Sequence, residues 1–417
     1  STNNGLNRFN RETKQFTRYL SNPKDPRSIP GNFVCGPYED SEKNLWVVSS
    51  DNYLSLFDKQ KGVVVQTFKT VKFPLVVIED KTDQRYIWIT SWGNGLAKFD
   101  KMTRTTRIFR HDPKDAGSIS SNNLVDIHQD ENGIIWLPTM GGGLDLFDPR
   151  TGKKIKSYRH DPGNPLSIGS DTVSHIFQDS TGVYWASTYG GGLNRFDAET
   201  ESFEGFTQEN GFPTNSVTNI LEDDDGNLWI GSKIGYIRLI PRTKKTRVYT
   251  TDDGLAGNEF QEAGIAKSRD GRFWLATITR ANSFHPRELK DNPFVPPVHL
   301  TSFRQGGVEI KAGMAPERIS EIKIDWRNNY FEFDFVALNY TNAGRNKYAY
   351  RLKGFEDDWN YVDTLRYGRY TNIPGGAYTL QLKGANNDGI WNEKGAAIKL
   401  IVASPPWKRW WAYCLYI

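Results

Sequence analysis

A short segment that recurs along the chain constrains its fold more than any other feature. Its clearest copies are STYGGGLNRFD at 187–197 and TMGGGLDLFD at 139–148, with looser copies at 90–100 and 3–10. A tryptophan precedes most copies, and the spacings are 42, 48, 49, 44 and 45 residues between Trp46, Trp88, Trp136, Trp185, Trp229 and Trp274. This period is near that of the four-stranded blades of β-propellers.

Each unit also divides into four short strands. In the clearest unit, residues 172–178 alternate between apolar and polar, and the runs 183–187, 192–197 and 202–207 follow across Asp- and Gly-rich turns. Six such units and a partial copy at 4–19 predict a β-propeller of about seven blades. The ring of blades is either complete within this chain or incomplete. Either the missing strands of the partial copy lie upstream, or the last unit closes the ring with the first. The six tryptophans are predicted to pack between blades.

The remaining residues predict a second all-β domain. A chain of 417 residues is long for one domain. We assign residues 1–292 to the propeller and 293–297 (PFVPP) to a stiff linker, since prolines are excluded from central strands. Alternating runs over residues 298–404 predict an immunoglobulin-like β-sandwich of around seven strands. Four tyrosines are expected in its core or corners: Tyr340, Tyr350, Tyr370 and Tyr378.

The end of the chain predicts entry into a membrane. The last eight residues are apolar and aromatic and follow Lys408 and Arg409, as at a membrane interface. We interpret 405–417 as a juxtamembrane segment and the start of a transmembrane helix, with an ordinary last strand as the alternative. The chain opens inside a repeat without a signal peptide, so it is expected to be part of a larger protein. A net charge of +4 without a basic stripe argues against nucleic-acid binding.

Familiar catalytic and metal-binding patterns are absent from the sequence. It contains no HExxH, no cysteine pair, no phosphate-binding loop and no nucleophile elbow, so no catalytic residue, metal or cofactor is predicted. His111 and His160 occupy equivalent repeat positions before Asp-Pro, which indicates a role in turns. The acidic pairs Glu222-Asp223 and Asp252-Asp253 could suggest a glycosidase, but acids recur at these positions in other repeats.

The repeat unit, with LWIGS at 228–232, resembles the two-component regulator propeller repeat of periplasmic sensors in Bacteroidetes hybrid two-component systems. The segments FVALNY (335–340), YAYRLKGFEDDW (348–359), RYTNIPGGAYTL (369–380) and KGANNDGIW (383–391) resemble the Y_Y_Y domain, which follows the last blade in that family. This resemblance implies a periplasmic region of an inner-membrane sensor. It also implies an upstream propeller, a transmembrane helix, a downstream histidine kinase and a homodimer. The family's sensors usually carry two propellers, whereas this chain has about one.

Candidate ligand-binding residues are those that break the repeat in loops around the mouth of the propeller. A variable position inside the turn after each tryptophan strand gives Trp92, Met140, Tyr189, Lys233 and Arg280, and the loops between blades give Asn122, Asp171, Asn215, Asn258 and Glu259. Sugars need a flat apolar face for stacking and polar groups for their hydroxyls, and these residue types supply both. They could equally be solvated loop residues or contacts to a neighbouring domain.

The function expected from these features is the sensing of a glycan-derived oligosaccharide. By resemblance, the signal would cross the membrane and control polysaccharide-utilisation genes, while this region would have no enzymatic activity. Two alternatives remain open. One is a propeller polysaccharide lyase or hydrolase with a carbohydrate-binding sandwich, and the other is a protein-interaction scaffold.

Overall fold

The chain folds into two compact units made almost entirely of β-strands. The computed structural model describes residues 4–49, 51–277, 279–310, 315–328 and 330–408. The first unit extends to Glu288 and the second begins at Leu289. Seven short 3-10 helices complete the described elements: η1 (Gln208–Asn210), η2 (Thr251–Asp253), η3 (Pro286–Glu288), η4 (Pro316–Arg318), η5 (Trp326–Asn328), η6 (Ala343–Arg345) and η7 (Pro406–Lys408).

The first unit contains seven antiparallel sheets, which we number as blades in chain order. Blade 1 contains β1 (Leu6–Phe9) and β2 (Phe16–Tyr19). Blade 2 contains β3 (Val34–Glu39), β4 (Leu45–Ser49), β5 (Tyr53–Asp58) and β6 (Val63–Lys69). Blade 3 contains β7 (Pro74–Glu79), β8 (Tyr86–Ser91), β9 (Gly95–Asp100) and β10 (Thr106–Phe109). Blade 4 contains β11 (His128–Gln129), β12 (Ile135–Thr139), β13 (Gly143–Asp148) and β14 (Lys153–Tyr158). Blade 5 contains β15 (Val173–Gln178), β16 (Tyr184–Thr188), β17 (Leu193–Asp197) and β18 (Ser202–Phe206). Blade 6 contains β19 (Val217–Glu222), β20 (Leu228–Ser232), β21 (Tyr236–Ile240) and β22 (Lys245–Tyr249). Blade 7 contains β23 (Phe260–Lys267), β24 (Phe273–Thr277) and β25 (Ala281–Phe284).

The repeated tryptophans join neighbouring blades, as predicted. Five of the six lie within 6.0 Å of a phenylalanine ring of the next blade, and the sixth, Trp185, belongs to a buried cluster with apolar residues of blade 6. Trp88 lies 5.9 Å from Phe147 between ring centroids, and Trp136 lies 5.4 Å from Phe196. Rings of this size provide the largest share of apolar burial in such an interface.

The same contact brings the last blade to the first. Trp274 of blade 7 lies 5.6 Å from Phe9 of blade 1, and the guanidinium of Arg11 lies over the same indole at 5.6 Å. Arg11 also forms an ion pair with Asp270 at 3.5 Å. The ring of seven blades is therefore closed by side-chain packing between the partial first unit and the last one. In the described residues, blade 1 has two strands and blade 7 has three.

An aspartate in the turn before five of the six tryptophan strands explains the DxxGxLW pattern, and Ser268 takes its place in blade 7. In blade 6, one carboxylate oxygen of Asp223 accepts hydrogen bonds from the backbone N–H groups of Asp225 and Asn227, and the other accepts one from Trp229 Nε1 at 2.7 Å. Asp179 makes the same contacts in blade 5, with Trp185 Nε1 at 2.8 Å. One side chain thus holds the hairpin turn and satisfies a buried indole N–H.

A second aspartate, at the end of the third strand, makes the propeller sensitive to acid. Asp100 accepts hydrogen bonds from the backbone N–H groups of Met102 and Thr103, and the guanidinium of Arg85 donates to both of its oxygens. The hydrogen bond from Arg85 is the largest influence that holds the pKa of Asp100 well below its usual range. In the folded protein the Asp100 carboxylate therefore stays ionised at a pH at which the same carboxylate of the unfolded chain, with its ordinary pKa of about 3.9, binds a proton.

We expect the free energy of unfolding of Asp100→Asn to fall less at acid pH than that of the wild type. Because the folded pKa is lowered, the stabilisation is fully present above about pH 4, the unfolded pKa, and is lost progressively as the pH falls from there towards the lower folded pKa. Urea unfolding at pH 7 and pH 3 should show a smaller loss for the variant than for the wild type. Glu131→Gln is the control, since Glu131 forms an exposed ion pair with Lys81 and should leave the loss unchanged. An unchanged acid limb in Asp100→Asn would contradict this account.

The second unit is a sandwich of two sheets, in agreement with the predicted immunoglobulin-like class. One sheet has the order β27-β26-β29-β32 and the other β28-β34-β33-β30-β31. The strands are β26 (Val298–Gln305), β27 (Val308–Glu309), β28 (Glu321–Ile324), β29 (Tyr330–Ala337), β30 (Lys347–Lys353), β31 (Asn360–Tyr361), β32 (Tyr367–Thr371), β33 (Gly376–Ala385) and β34 (Ala396–Val402). Phe331, Phe333, Phe335, Leu380 and Leu400 are fully buried between the sheets. Their alternation along β29, β33 and β34 is the period of two that a half-buried strand requires.

A network of buried asparagines ties the segment before β26 to the sandwich. The side-chain N–H groups of Asn386 donate to the carbonyls of Asn292 and Phe294, both at 2.7 Å. Asn339 donates to Asn346 and to Asn387, at 2.8 and 3.0 Å. The Pro-rich segment therefore belongs to the second unit, because its carbonyls have their partners there.

One expectation for the sandwich is wrong. Tyr370 is buried, and Tyr350 and Tyr378 pack against the core, but Tyr340 is 85% exposed. Tyr340 follows the last residues of β29, beyond the point where the second sheet covers that strand. At the end of the described chain, Trp407 packs edge-on against Trp326 at 4.9 Å. The predicted start of a transmembrane helix lies almost wholly outside the described residues, and within them no helix is both long and apolar enough to span a bilayer.

Candidate functional site

Two sets of loops meet at one face of the propeller. Within blades 3, 4 and 5, the turn after the second strand is hydrogen-bonded to the residue that precedes the first strand. The donors and acceptors are Trp92 N to Phe73 O, Met140 N to Asn123 O, and Tyr189 N to Thr172 O, at 2.9–3.0 Å. The end of each turn also bonds to the loop that enters the next blade, as in Gly192 N to Asn215 O at 2.8 Å. The loops therefore form one continuous rim, which we call the mouth.

Four of the five turn residues chosen from the sequence occupy the same position on this mouth. Trp92 and Lys233 are exposed, while Met140 and Tyr189 are half-buried. The fifth, Arg280, does not occupy this position, because it lies six residues after its tryptophan whereas the other four lie four residues after theirs. Thr277 N donates to Arg280 O just as Ser232 N donates to Gly235 O. Arg280 thus ends its turn, and the matching position is Ile278, which lies outside the described residues.

The residues chosen from the loops between blades are mostly engaged in holding those loops. A side-chain oxygen of Asn122 accepts a hydrogen bond from His111 N at 2.8 Å, and Asp171 accepts one from His160 N at 2.8 Å. Asn215 accepts from Gln208 N at 2.7 Å, and Asn258 from Thr251 N at 2.8 Å. Of this set, only Glu259 is exposed.

The imidazoles of the two repeated histidines also support these loops. Nδ1 of His111 lies 2.8 Å from Ile119 O, and Nδ1 of His160 lies 2.9 Å from Ile168 O. The acidic pairs are similarly engaged, since Glu222 accepts hydrogen bonds from Ser180 N and Oγ while Asp223 holds Trp229. No set of three or more His, Cys, Asp or Glu side chains in the described part of the chain is placed to hold a metal ion.

One mouth residue joins two blades that are not adjacent in the chain. The hydroxyl of Tyr189, in blade 5, donates a hydrogen bond to Glu262 on β23 of blade 7. Burial, and then the hydrogen bond to Glu262, raise the pKa of Tyr189 well above its usual range. The phenol therefore remains a donor at any physiological pH, and Glu262 is an acceptor that the sequence analysis missed.

Two exposed aromatic residues on the mouth were also missed. Phe33 and Phe73 each precede the first strand of a blade, and 42% and 56% of their surfaces are exposed. The equivalent positions in blades 4 to 7 hold Asn123, Thr172, Ser216 and Glu259. A signal for them existed in the sequence, because they depart from a polar pattern at a fixed offset from the first strand.

A separate cavity lies in the second unit. It has a volume of about 370 Å³ and is lined by Phe294, Pro297, Leu338, Asn339, Tyr340 and Thr341. Its walls are apolar side chains and the exposed Tyr340 ring. No candidate residue from the sequence lies there.

The fold and the repeats together define a class of protein. Residues 339–403 match the Y_Y_Y domain family, and residues 211–233 match the two component regulator propeller family. The second match covers the turn before the tryptophan strand of blade 6 and that strand itself, which ends at Ser232. These matches confirm the resemblance that the repeat unit and the sandwich segments indicated.

Individual proteins are similar to this chain over most of its length. The chain is 29% identical over 390 residues to histidine kinase P4 of Formosa agariphila, which covers 89% of this chain and 28% of the relative. A solved extracellular domain assigned to a hybrid two-component system of B. thetaiotaomicron has a TM-score of 0.78 and 24% identity, and covers 97% of this chain and 53% of that one. PorZ of Porphyromonas gingivalis is a surface component of the type-IX secretion system. Its structure has a TM-score of 0.50 and 13% identity to this chain, and the match covers 94% of this chain and 55% of PorZ. The likeness to the solved structures supports the fold, and this chain spans only about a quarter to a half of the proteins it matches.

Proposed function

We propose that this chain is the ligand-sensing region of a periplasmic two-component sensor and that its ligand is a glycan-derived oligosaccharide. The parent protein would carry the histidine kinase beyond a transmembrane helix, and this region would bind without catalysing a reaction. Support comes from the family matches at 211–233 and 339–403. It also comes from the sequence similarity to a histidine kinase, which extends over most of this chain.

The observation that carries the ligand proposal is the exposure of Trp92. Buried tryptophans build this propeller, but Trp92 keeps 48% of its surface exposed at the mouth, where no blade needs it for packing. Its backbone carbonyl accepts a hydrogen bond from Asn94 Nδ2 at 3.0 Å, so the same turn also carries an amide side chain. An exposed indole beside amides can stack on the apolar face of a sugar ring and bond to its hydroxyls.

The sandwich would transmit the signal. We propose that two copies associate and that ligand binding changes the placement of their C-terminal ends relative to the membrane. The asparagine network is consistent with this role to the extent that it holds the first residues of the sandwich unit in place, since Asn386 donates to the carbonyls of Asn292 and Phe294. The size of such a change is limited by the difference in ligand affinity between the two states.

A thermal-shift screen against plant, host and microbial oligosaccharides tests this proposal. A ligand present at a hundred times its Kd should stabilise the protein by about 2.7 kcal/mol. Trp92→Ala should abolish the shift at the same concentration and leave the melting temperature of the free protein unchanged, because the indole is exposed. Phe16→Ala is the matched control, since Phe16 is an exposed aromatic on the outer strand β2.

The alternatives are distinguished by other outcomes of the same screen. New reducing ends or unsaturated products in the incubated glycans would favour a lyase or hydrolase. A shift produced by a purified protein, with none from any glycan, would favour an interaction scaffold.

A further inference from the structure

Phe73 adopts a backbone conformation that its side chain disfavours. Its φ is +47°, in the left-handed region that glycine enters freely and bulky residues rarely occupy. Phe73 also precedes Pro74, and a residue before proline is normally extended. The other described non-glycine residues at positive φ are polar or charged: Lys14, Lys43, Asn52, Arg104, Glu201, Lys244, Asp363 and Asn372. Phe73 is therefore the exception in this group.

Packing does not explain why this strained residue is aromatic. More than half of its surface is exposed, whereas Val71, two residues earlier, is buried in the core that blades 2 and 3 share. Glycine at this position would adopt the same φ without steric conflict. Strained residues that burial does not compensate are concentrated at ligand-binding sites, where the strain holds a side chain in place.

Exposed aromatic rings are concentrated on one sector of the mouth. The carbonyl of Phe73 accepts the hydrogen bond from Trp92 N at 3.0 Å, so the two residues are joined through their backbones. Phe33 occupies the equivalent position in blade 2, whose first strand β3 lies beside β7 of blade 3. Across the ring the same positions hold Thr172, Ser216 and Glu259.

We infer that Phe33, Phe73 and Trp92 form a stacking platform for successive sugar rings of an oligosaccharide, a proposal that rests on the proposed function. Sugar rings have apolar C–H faces and polar edges, and the loops of this sector carry both aromatic and amide side chains. Asn94 donates to the carbonyl of Trp92, and Oδ1 of Asn123 lies 3.8 Å from the position that a Cβ would take on Gly93. Because the rings belong to two neighbouring blades, the platform suits a chain of several sugars better than a monosaccharide.

Phe73→Gly separates this role from a structural one. Since glycine relieves the positive φ, the variant should keep the fold and a melting temperature no lower than that of the wild type. Its affinity for the oligosaccharide found in the screen, measured by isothermal titration calorimetry, should fall by about tenfold or more. Phe73→Tyr, which keeps the ring, should bind within about twofold of the wild type. Ile234→Ala is the control on the same face, since Ile234 is an exposed apolar residue in the turn of blade 6.

The outcomes distinguish this inference from the proposed function. If the oligosaccharide binds Phe73→Gly as tightly as the wild type, while Tyr189→Ala or Lys233→Ala weakens binding, the platform is wrong and the sensor proposal stands. If Phe73→Gly and Ile234→Ala weaken binding equally, the effect is not specific to this sector and the platform is again wrong. If no oligosaccharide binds the wild type, both proposals fail.

Discussion

Trp229→Ala is expected to destabilise the propeller by about 4 kcal/mol, within the range of tryptophan truncations in cores. The indole of Trp229 is 1% exposed and lies 5.9 Å from the ring of Phe273 and 5.8 Å from Phe284, both in blade 7. Truncation leaves a cavity between two blades and removes the indole N–H that donates a hydrogen bond to Asp223. Urea unfolding followed by circular dichroism measures the loss.

Trp92→Ala is the matched substitution for this experiment. The same side chain is removed, but from an exposed position on the mouth, so the free energy of unfolding should change by less than about 0.5 kcal/mol. Trp229→Phe should fall between the two, because it keeps part of the apolar contact and loses the indole N–H. Equal losses in Trp92→Ala and Trp229→Ala would contradict the division between packing tryptophans and the mouth tryptophan.

Asn386→Ala is expected to destabilise the sandwich by about 3 kcal/mol and to release the segment that enters it. Asn386 is fully buried, and its side chain donates to the carbonyls of Asn292 and Phe294 and accepts from the N–H groups of Asp388 and Ile390. The variant loses these four hydrogen bonds, each of which contributes about 0.5–1.5 kcal/mol.

Limited proteolysis under native conditions detects the released segment. Cleavage within residues 289–297 should be faster in Asn386→Ala than in the wild type, because the freed carbonyls allow the segment to leave the sandwich surface. Lys394→Ala is the control, since Lys394 is an exposed residue of the same loop between β33 and β34. Cleavage rates that are the same in the wild type and Asn386→Ala would show that the asparagine network does not hold this segment.

The architecture of the first unit could be predicted because its signals are local and repeated. Each tryptophan and the residue that accepts its indole N–H, six or eight residues earlier, lie within one blade, and this residue is an aspartate in five of the six copies. The contact of Trp274 with Phe9 could be anticipated only as one of two possibilities, because it joins residues at opposite ends of the unit.

The candidate site was harder to predict, because its residues depend on contacts that cross loops. Asn122 and Asn215 resemble free polar groups in the sequence, yet their oxygens hold backbone N–H groups eleven and seven residues earlier. Arg280 was misplaced because it lies six residues after its tryptophan rather than four. The positive φ of Phe73 could not be predicted, because neither a phenylalanine nor a residue before proline favours that conformation.

The most direct test of the account is one titration in which the glycan is recovered and analysed. The intact chain is titrated with the best oligosaccharide from the screen in a calorimeter, and the cell contents are then examined by mass spectrometry. The account predicts saturable binding with one ligand per chain, lost in Trp92→Ala, and an oligosaccharide recovered at its original mass. Binding that Trp92→Ala leaves unchanged, or an oligosaccharide recovered in shorter or unsaturated pieces, would contradict it.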